Sequence, residues 1–332
     1  MSDTISVSTL PSIDQAEYAA LINGAALLAR PDAGVLRLTD ADRHDFLQRM
    51  TTNNMSVLRP GQSAVTVLTS PVARILFVFT VIARDDDLLL LPAPGQSQAL
   101  ARHLRGQIFF MDKVKVHDLG EQFARLRIMG PQAAQVLAKL GIDAASLPAN
   151  RWATHDSLHD DLIAVAQPQY EVPGFEIVVQ REILAEVSAK LVAAGAREID
   201  ANVYDARRIE WGRPATGSEL IEEYTPLEAD LAWACAENKG CYTGQEIIAR
   251  QITYDKVTKT LVGLRSTKAL ARGSEVLVNG RSVGVVTSVT YSPALDAPIA
   301  LAIVKRPHNA PGTLVQVNEH EATVVAFPFV AV

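Results

Sequence analysis

The chain is short of cysteine, of aromatic residues and of surplus positive charge, and each shortage removes a class of protein. Two cysteines in 332 residues do not make a disulfide scaffold, and Cys235 and Cys241 do not form a CxxC pair. Thiols used so sparingly point to a reducing compartment, and a cytoplasmic protein is expected. A net charge of −6, with no Lys/Arg cluster interleaved with aromatics, argues against a nucleic-acid partner. No long apolar run is present: the longest, Ile75–Ala83, falls well short of the ~20 residues that cross a bilayer and is bounded by Arg74 and Arg84. It reads as a buried strand, and no membrane association is expected. GxGxxG and P-loop spacings are absent as well. Residues 1–17 are polar and carry acids where a secretory segment would be basic and then apolar, so a flexible leader is expected there.

What is present is ample hydrophobic material, 48% of the chain, enough for buried cores in two or three domains. Helical spacing predicts helices over residues 18–28, 96–105, 131–140 and 183–194, with another that Thr39 and Asp40 would cap and that runs through Phe46 and Leu47. Strand-like runs lie at 35–38, 64–69, 75–83, 88–91, 114–117, 125–129 and 176–179, which suggests an α+β body with mixed sheets. After Asp255 the pattern changes to short β-like runs at 258–264, 275–278, 283–289, 299–304, 314–317 and 322–326. Turn signals at Arg272-Gly273, Asn279-Gly280 and Pro311-Gly312 separate them, and a small C-terminal β-barrel is the natural solution. The expected units are an N-terminal α+β domain at 18–122, a second α+β domain at 123–254 and the barrel at 255–332.

The segment KGCYTGQE, residues 239–246, sets a thiol between a cation and a glycine turn. Cysteine reacts as thiolate, and Lys239 would favour that form of Cys241 if the turn folds the ammonium back over the sulfur. Gly240 and Gly244 permit such a turn, Tyr242 lies inside it, and Gln245 and Glu246 add an amide and a carboxylate. The alternative is an inert small side chain in a loop. Glu210 follows two arginines and precedes Gly212. On spacing alone it is equally a helix-surface acid paired with Arg207. His155 and His159 share one helical face beside Asp156, Asp160 and Asp161, yet no recognisable third ligand is near, so they read as a solvated acidic segment. No metal site is expected, and the other histidines receive no role.

The octapeptide resembles the signature of the YgfZ family, folate-binding relatives of the T-protein (aminomethyltransferase) of the glycine cleavage system. Residues 204–228, YDARRIEWGRPATGSELIEEYTPLE, are similar to the T-protein pattern of an acid before a glycine and a Thr-Pro-hydrophobic-Glu run leading to a Trp, here Trp233. Segments 42–54, 104–116 and 126–137 resemble stretches that recur in that superfamily in the same order, so the likeness covers nearly the whole chain. It implies a T-protein-like three-domain arrangement around a central folate channel, with tetrahydrofolate as the bound ligand. A pterin's 2-amino group and adjacent ring N–H form a two-donor edge that one carboxylate can accept, and the resemblance carries that ligand role to Glu210. It likewise places Lys239 where a cation receives the glutamate tail of folate, and Arg250, just past the turn, is a weaker second candidate for that task.

One departure matters most. Phe77 stands where T-proteins place an aspartate that takes part in aminomethyl transfer, and phenylalanine has no proton to exchange and no lone pair to hold an amine. Losing a general acid/base removes a factor of about 100 to 10,000, so a folate binder without the parent reaction is expected. Asp85, Asp86 and Asp87 look like a hairpin turn and do not replace it. The resemblance further implies a role in assembling or repairing iron–sulfur clusters in client enzymes, with Cys241 as the functional thiol. One thiol cannot hold a cluster, so such contact would be transient or shared with a partner, and no stably bound metal is expected. Two other readings stay open: an active folate-dependent one-carbon transferase or demethylase, and a non-catalytic scaffold that has lost folate binding.

Overall fold

The computed structural model describes residues 10–154 and 162–330. Nine residues of the expected leader and the His155/His159 pair lie outside that range. In chain order the first elements are α1 (Gln15–Asn23), β1 (Ala26–Arg30), β2 (Leu36–Thr39), α2 (Arg43–Met50), β3 (Ser63–Thr69), β4 (Ile75–Ala83), β5 (Leu88–Pro92), α3 (Ser97–Gly106) and β6 (Lys115–Asp118). There follow β7 (Phe123–Met129), α4 (Ala133–Lys139), β8 (Trp152–Thr154), β9 (Ile163–Gln167), β10 (Gly174–Gln180), α5 (Leu184–Ala193), β11 (Arg197–Glu198), α6 (Ala201–Glu210) and α7 (Gln245–Thr253). The last are β12 (Lys259–Ser266), β13 (Glu275–Val278), β14 (Arg281–Ser292), β15 (Ala297–Lys305), β16 (Leu314–Val317) and β17 (His320–Val325).

Asp14 starts α1 by accepting from the backbone N–H groups of Ala16 and Glu17 at 2.9 and 2.8 Å. The helix stops at Asn23, short of the expected 28, because Ala26 and Leu27 are buried side by side and consecutive burial suits a strand covered on both faces. That strand, β1, pairs with β7 and β11, so the first expected domain boundary does not enclose a single sheet.

The first sheet has the order β3-β4-β5-β2-β6. Its core joins Phe46 and Leu47 of α2 and Leu100 and Leu104 of α3 to Leu38, Phe79 and Leu90. The second sheet runs β11-β1-β7-β10-β9-β8. Alternation along β10 decides its two faces: Ile177 and Val179 pack with Val136 of α4 and Leu191 of α5, while Val178 meets Ile82 and Leu91 of the first sheet. The sheets therefore share a hydrophobic seam rather than a linker.

The third unit is a closed barrel in the order β12-β15-β14-β13-β16-β17, as the short strands and turn signals predict. Asn279 and Gly280 both have positive φ, 51° and 73°, the conformation of a tight hairpin turn between β13 and β14. Register shifts at Val276/Leu277 and Val286/Ser288 are the irregularities that let such short strands curve into closure. The whole is a mixed α/β arrangement of two sheets and a barrel.

Candidate functional site: a buried carboxylate, two cavities and an exposed thiol

Glu210 ends α6 and is fully buried. The Tyr18 hydroxyl of α1 lies 2.8 and 2.7 Å from its two oxygens, Ser292 of β14 donates at 2.5 Å, and Arg207 donates at 2.9 Å. Its backbone carbonyl accepts from Phe329 N–H at 2.8 Å. The Arg207 pairing that spacing allowed is present, but the surface position is not: this acid ties α1, α6 and the barrel together. Burial, then the Glu210 carboxylate, push the Tyr18 hydroxyl well above the ordinary tyrosine value. Gly212 follows at φ +69°, and a Cβ there would lie 2.2 Å from the Phe327 ring, so only glycine fits.

A cavity of ≈ 530 Å³ opens beside this junction, walled by Leu21, Ile22, Gln167, Phe175, Arg207 and Trp211. Its walls are largely apolar and aromatic, and the Trp211 Nε1–H is buried without a hydrogen-bond partner. A second cavity of similar volume, ≈ 530 Å³, meets another face of α6 and is lined by Arg30, Tyr170, Glu171, Tyr204, Arg208 and Arg213 among others. The Trp211 indole touches both cations nearest it, with Arg207 5.3 Å and Arg213 5.8 Å from the ring centre.

Beneath the second cavity lies a group of buried charges. Arg30 pairs with Glu171 at 2.9 Å and Glu176 at 3.3 Å, Arg127 with Glu176 at 3.1 Å, and Arg125 with Glu176 at 3.3 Å. Arg125 also donates to the Pro92 carbonyl and Arg127 to the Val172 carbonyl. Burial alone would raise Glu171, but Arg30 and Arg127 hold its carboxyl down to about 2. The sequence reading missed this group. Its signal was the alternation of Arg125 and Arg127 within the apolar run of β7, which puts both on one face of the sheet.

The KGCYTGQE loop docks on the turn between β3 and β4. Thr69 Oγ1 donates to the Thr243 carbonyl at 2.7 Å, and Gly244 has φ +83°. A Cβ on Gly244 would lie 2.8 Å from the Ser70 carbonyl oxygen and from Thr69 Oγ1, so the close approach requires glycine. Tyr242 is buried with Ala73, Cys235 and Ile248, and Gln245 accepts from the Tyr242 N–H at 3.3 Å. Cys241 itself is exposed.

Lys239 does not reach over that thiol as the spacing suggested. Its Nζ donates to the carbonyls of Thr51 at 2.5 Å and Asn53 at 2.7 Å and sits 4.8 Å from the Tyr242 ring centre. Thr51 is the C-cap of α2, where unpaired carbonyls and the helix dipole attract a cation, and this outcompetes a solvated sulfur. Burial lowers the Lys239 ammonium to about 8, with the buried Cys235 thiol opposing that shift. Burial pushes Cys235 up to about 12, offset in part by Thr52 and Lys239. Arg250 and Glu246 pair with each other at 2.6 Å on the outer surface of α7, their side chains 64% and 78% exposed.

The structure thus brings Lys239, Gly240, Cys241, Tyr242 and Gly244 into one loop but leaves Arg250 outside it. Among the described residues the loop and Glu210 share no hydrogen-bond partner. Phe77 lies partly buried on β4 against the core of the first sheet, its ring 5.8 Å from His103. Asp87, in the turn after β4, is ion-paired with Arg84 at 2.6 Å. No group of three or more His, Cys, Asp or Glu among the described residues could hold a metal ion, and no helix there is long and apolar enough to cross a membrane.

The two thiols differ in a way that labelling reads directly. A maleimide is expected to modify one thiol per folded chain and two after denaturation, and Cys241→Ser should abolish the native label. Native labelling that survives Cys241→Ser would contradict the burial of Cys235.

Two family models match the chain: GCVT N-terminal domain over residues 8–239, and Glycine cleavage T-protein C-terminal barrel domain over residues 259–330. The protein named "Putative transferase At1g60990, chloroplastic" from Arabidopsis thaliana is 32% identical, over 99% of this chain and 79% of that protein. An aminomethyltransferase of Halalkalibacterium halodurans is 28% identical over 94% of this chain and 88% of its own length. The crystal structure of glycine cleavage system aminomethyltransferase T from Bartonella henselae superposes with a TM-score of 0.86 at 23% identity, covering 97% of this chain and 91% of that one, and so shares the fold. These matches support the superfamily as a whole and do not single out the YgfZ branch that the octapeptide suggested. With both models matching in order and the barrel closed as the second requires, the chain belongs to the glycine cleavage T-protein (GCVT) family.

Proposed function

We propose that this protein binds tetrahydrofolate in the apolar cavity beside Glu210 and does not carry out aminomethyl transfer. The observation that carries the reading is a fully buried carboxylate behind Arg207, next to a cavity lined by Arg207, Phe175 and Trp211. Tyr18 spans both oxygens of Glu210, the position that a two-donor heterocycle edge would take over. Phe175 and Trp211 supply flat apolar walls against which a planar ring could lie. The residues present therefore suit a pterin. Bound tetrahydrofolate would contribute its capacity to carry one-carbon units, and the protein would contribute orientation and exclusion of water.

Phe77 supports the second half of the proposal, since a ring packed against His103 and the first core neither moves a proton nor holds an amine. On this reading the exposed Cys241 is the thiol presented to an iron–sulfur assembly protein or client enzyme. It offers one ligand where a cluster takes four, so the contact is brief and shared. Incubation with tetrahydrofolate and an aminomethyl donor is expected to yield no methylenetetrahydrofolate above background. Product formation above background would instead favour an active one-carbon transferase; the relatives named above are a putative transferase and an aminomethyltransferase.

A further inference from the structure

We propose that the turn at Phe109, Phe110 and Met111 seats this protein on an anionic lipid surface, an inference that stands apart from the folate reading. Three large apolar side chains follow one another in solvent here: Phe109 is 66% exposed, Phe110 97% and Met111 69%. Nowhere else among the described residues do three exposed large hydrophobics adjoin. A single exposed apolar residue needs no explanation, whereas a contiguous set marks a contact surface.

The turn is fixed at both ends. Asp112 N–H donates to the Phe109 carbonyl at 3.0 Å, and the Asp112 carboxylate, 5% exposed, accepts from Phe109 N–H at 3.0 Å and from Arg49 at 2.9 Å. Ile108 before it packs against the core of the first sheet, and Lys113 N–H after it donates to the Asp42 carboxylate at 2.8 Å. The apolar side chains are therefore presented outward by a backbone that is already ordered, which lowers the entropy cost of a contact.

Charge and area identify what the turn meets. Arg102 and Arg105, three residues apart on one face of α3, and Lys113 flank the apolar residues in sequence; all three are exposed, and none forms an ion pair among the described residues. Arg105 gives its donors to the Val116 carbonyl at 3.1 and 2.9 Å and keeps its charge. In a chain of net charge −6 this edge is cationic, and it complements an anionic surface. The same cations would oppose one another across a symmetric contact between two copies. Gly106, Gln107 and Lys113 are exposed around the turn and do not extend its apolar surface. Three side chains offer several hundred Å² at most, below the ~800 Å² that each partner of a stable protein interface buries. A bilayer asks for no complementary pocket: apolar side chains enter the boundary of the acyl region while flanking cations remain among the headgroups. Such contact needs no run of ~20 apolar residues, so a search for spanning segments passes over these three.

The test is sedimentation with vesicles of phosphatidylcholine alone and of phosphatidylcholine containing about one-third phosphatidylglycerol. Wild type is expected to bind the mixed vesicles, to bind the neutral ones far less, and to be released by salt. Phe110→Ser with Met111→Ser should lower affinity for the mixed vesicles about 10-fold or more, and Arg102→Glu with Lys113→Glu by a similar factor. All four side chains lie in solvent, so both double variants should keep the wild-type thermal midpoint and the native maleimide label at Cys241, which separates lost binding from lost fold. Wild type that leaves the mixed vesicles unbound, or a Phe110→Ser, Met111→Ser variant that binds them equally well, would overturn the proposal. Equal binding of wild type to neutral vesicles would overturn the anionic preference. A concentration-dependent dimer in sedimentation velocity, without vesicle binding and lost in the same variant, would assign the turn to a second copy instead.

Discussion

Glu176→Gln is expected to cost about 3–5 kcal/mol of folding stability, the range found when one partner is removed from a buried ion pair. The carboxylate is the shared counter-charge of Arg30, Arg125 and Arg127, and its side chain is 1% exposed. Glutamine keeps the shape and one acceptor but removes the charge. Glu171 would then be the remaining carboxylate against three buried guanidiniums. Urea denaturation reads the effect as a lowered midpoint at unchanged slope, and a loss below about 1 kcal/mol would show that backbone carbonyls alone hold the arginines. Acid should reproduce the weakening through Glu171. Its folded pKa of about 2 lies below its ordinary 4.5, so its stabilisation is complete above 4.5 and is lost as the pH falls from there towards 2.

Glu210→Gln should lower tetrahydrofolate affinity by about 100-fold or more. Two charge-assisted hydrogen bonds, each worth about 1.5–3 kcal/mol, are replaced by an amide that opposes one of the ligand's donors with a donor of its own. The substitution also takes the counter-charge from Arg207, so a second variant separates binding from architecture. Ser292→Ala removes a donor from the same carboxylate without touching its charge, and its affinity should stay within a few-fold of wild type. Comparable loss in both variants would mean that the junction, rather than the carboxylate, supports the ligand.

The parts of this molecule legible in its sequence are those set by local patterning. The Asn279-Gly280 turn and the short β-like runs around it predict the barrel because turn chemistry fixes hairpins over a few residues. The run at Ile75–Ala83 predicts its strand for the same reason. By contrast β1 was hidden, since the apolar residues 25–28 continue the helical spacing of α1 and only pairing with β7 decides their conformation.

The site divides the same way. The KGCYTGQE motif marked a loop that the fold does assemble, and Glu210 marked a carboxylate with an unusual environment. Where the Lys239 ammonium points is settled by carbonyls of Thr51 and Asn53, almost two hundred positions earlier in the chain, and no spacing rule reaches that far.

The most direct test of the central claim is a calorimetric titration of the wild-type protein with 5-formyltetrahydrofolate. Saturable binding at one ligand per chain is the expected result. A flat titration at ligand concentrations up to the millimolar range would contradict it, and the buried Glu210 would then be a structural tie between α1, α6 and the barrel.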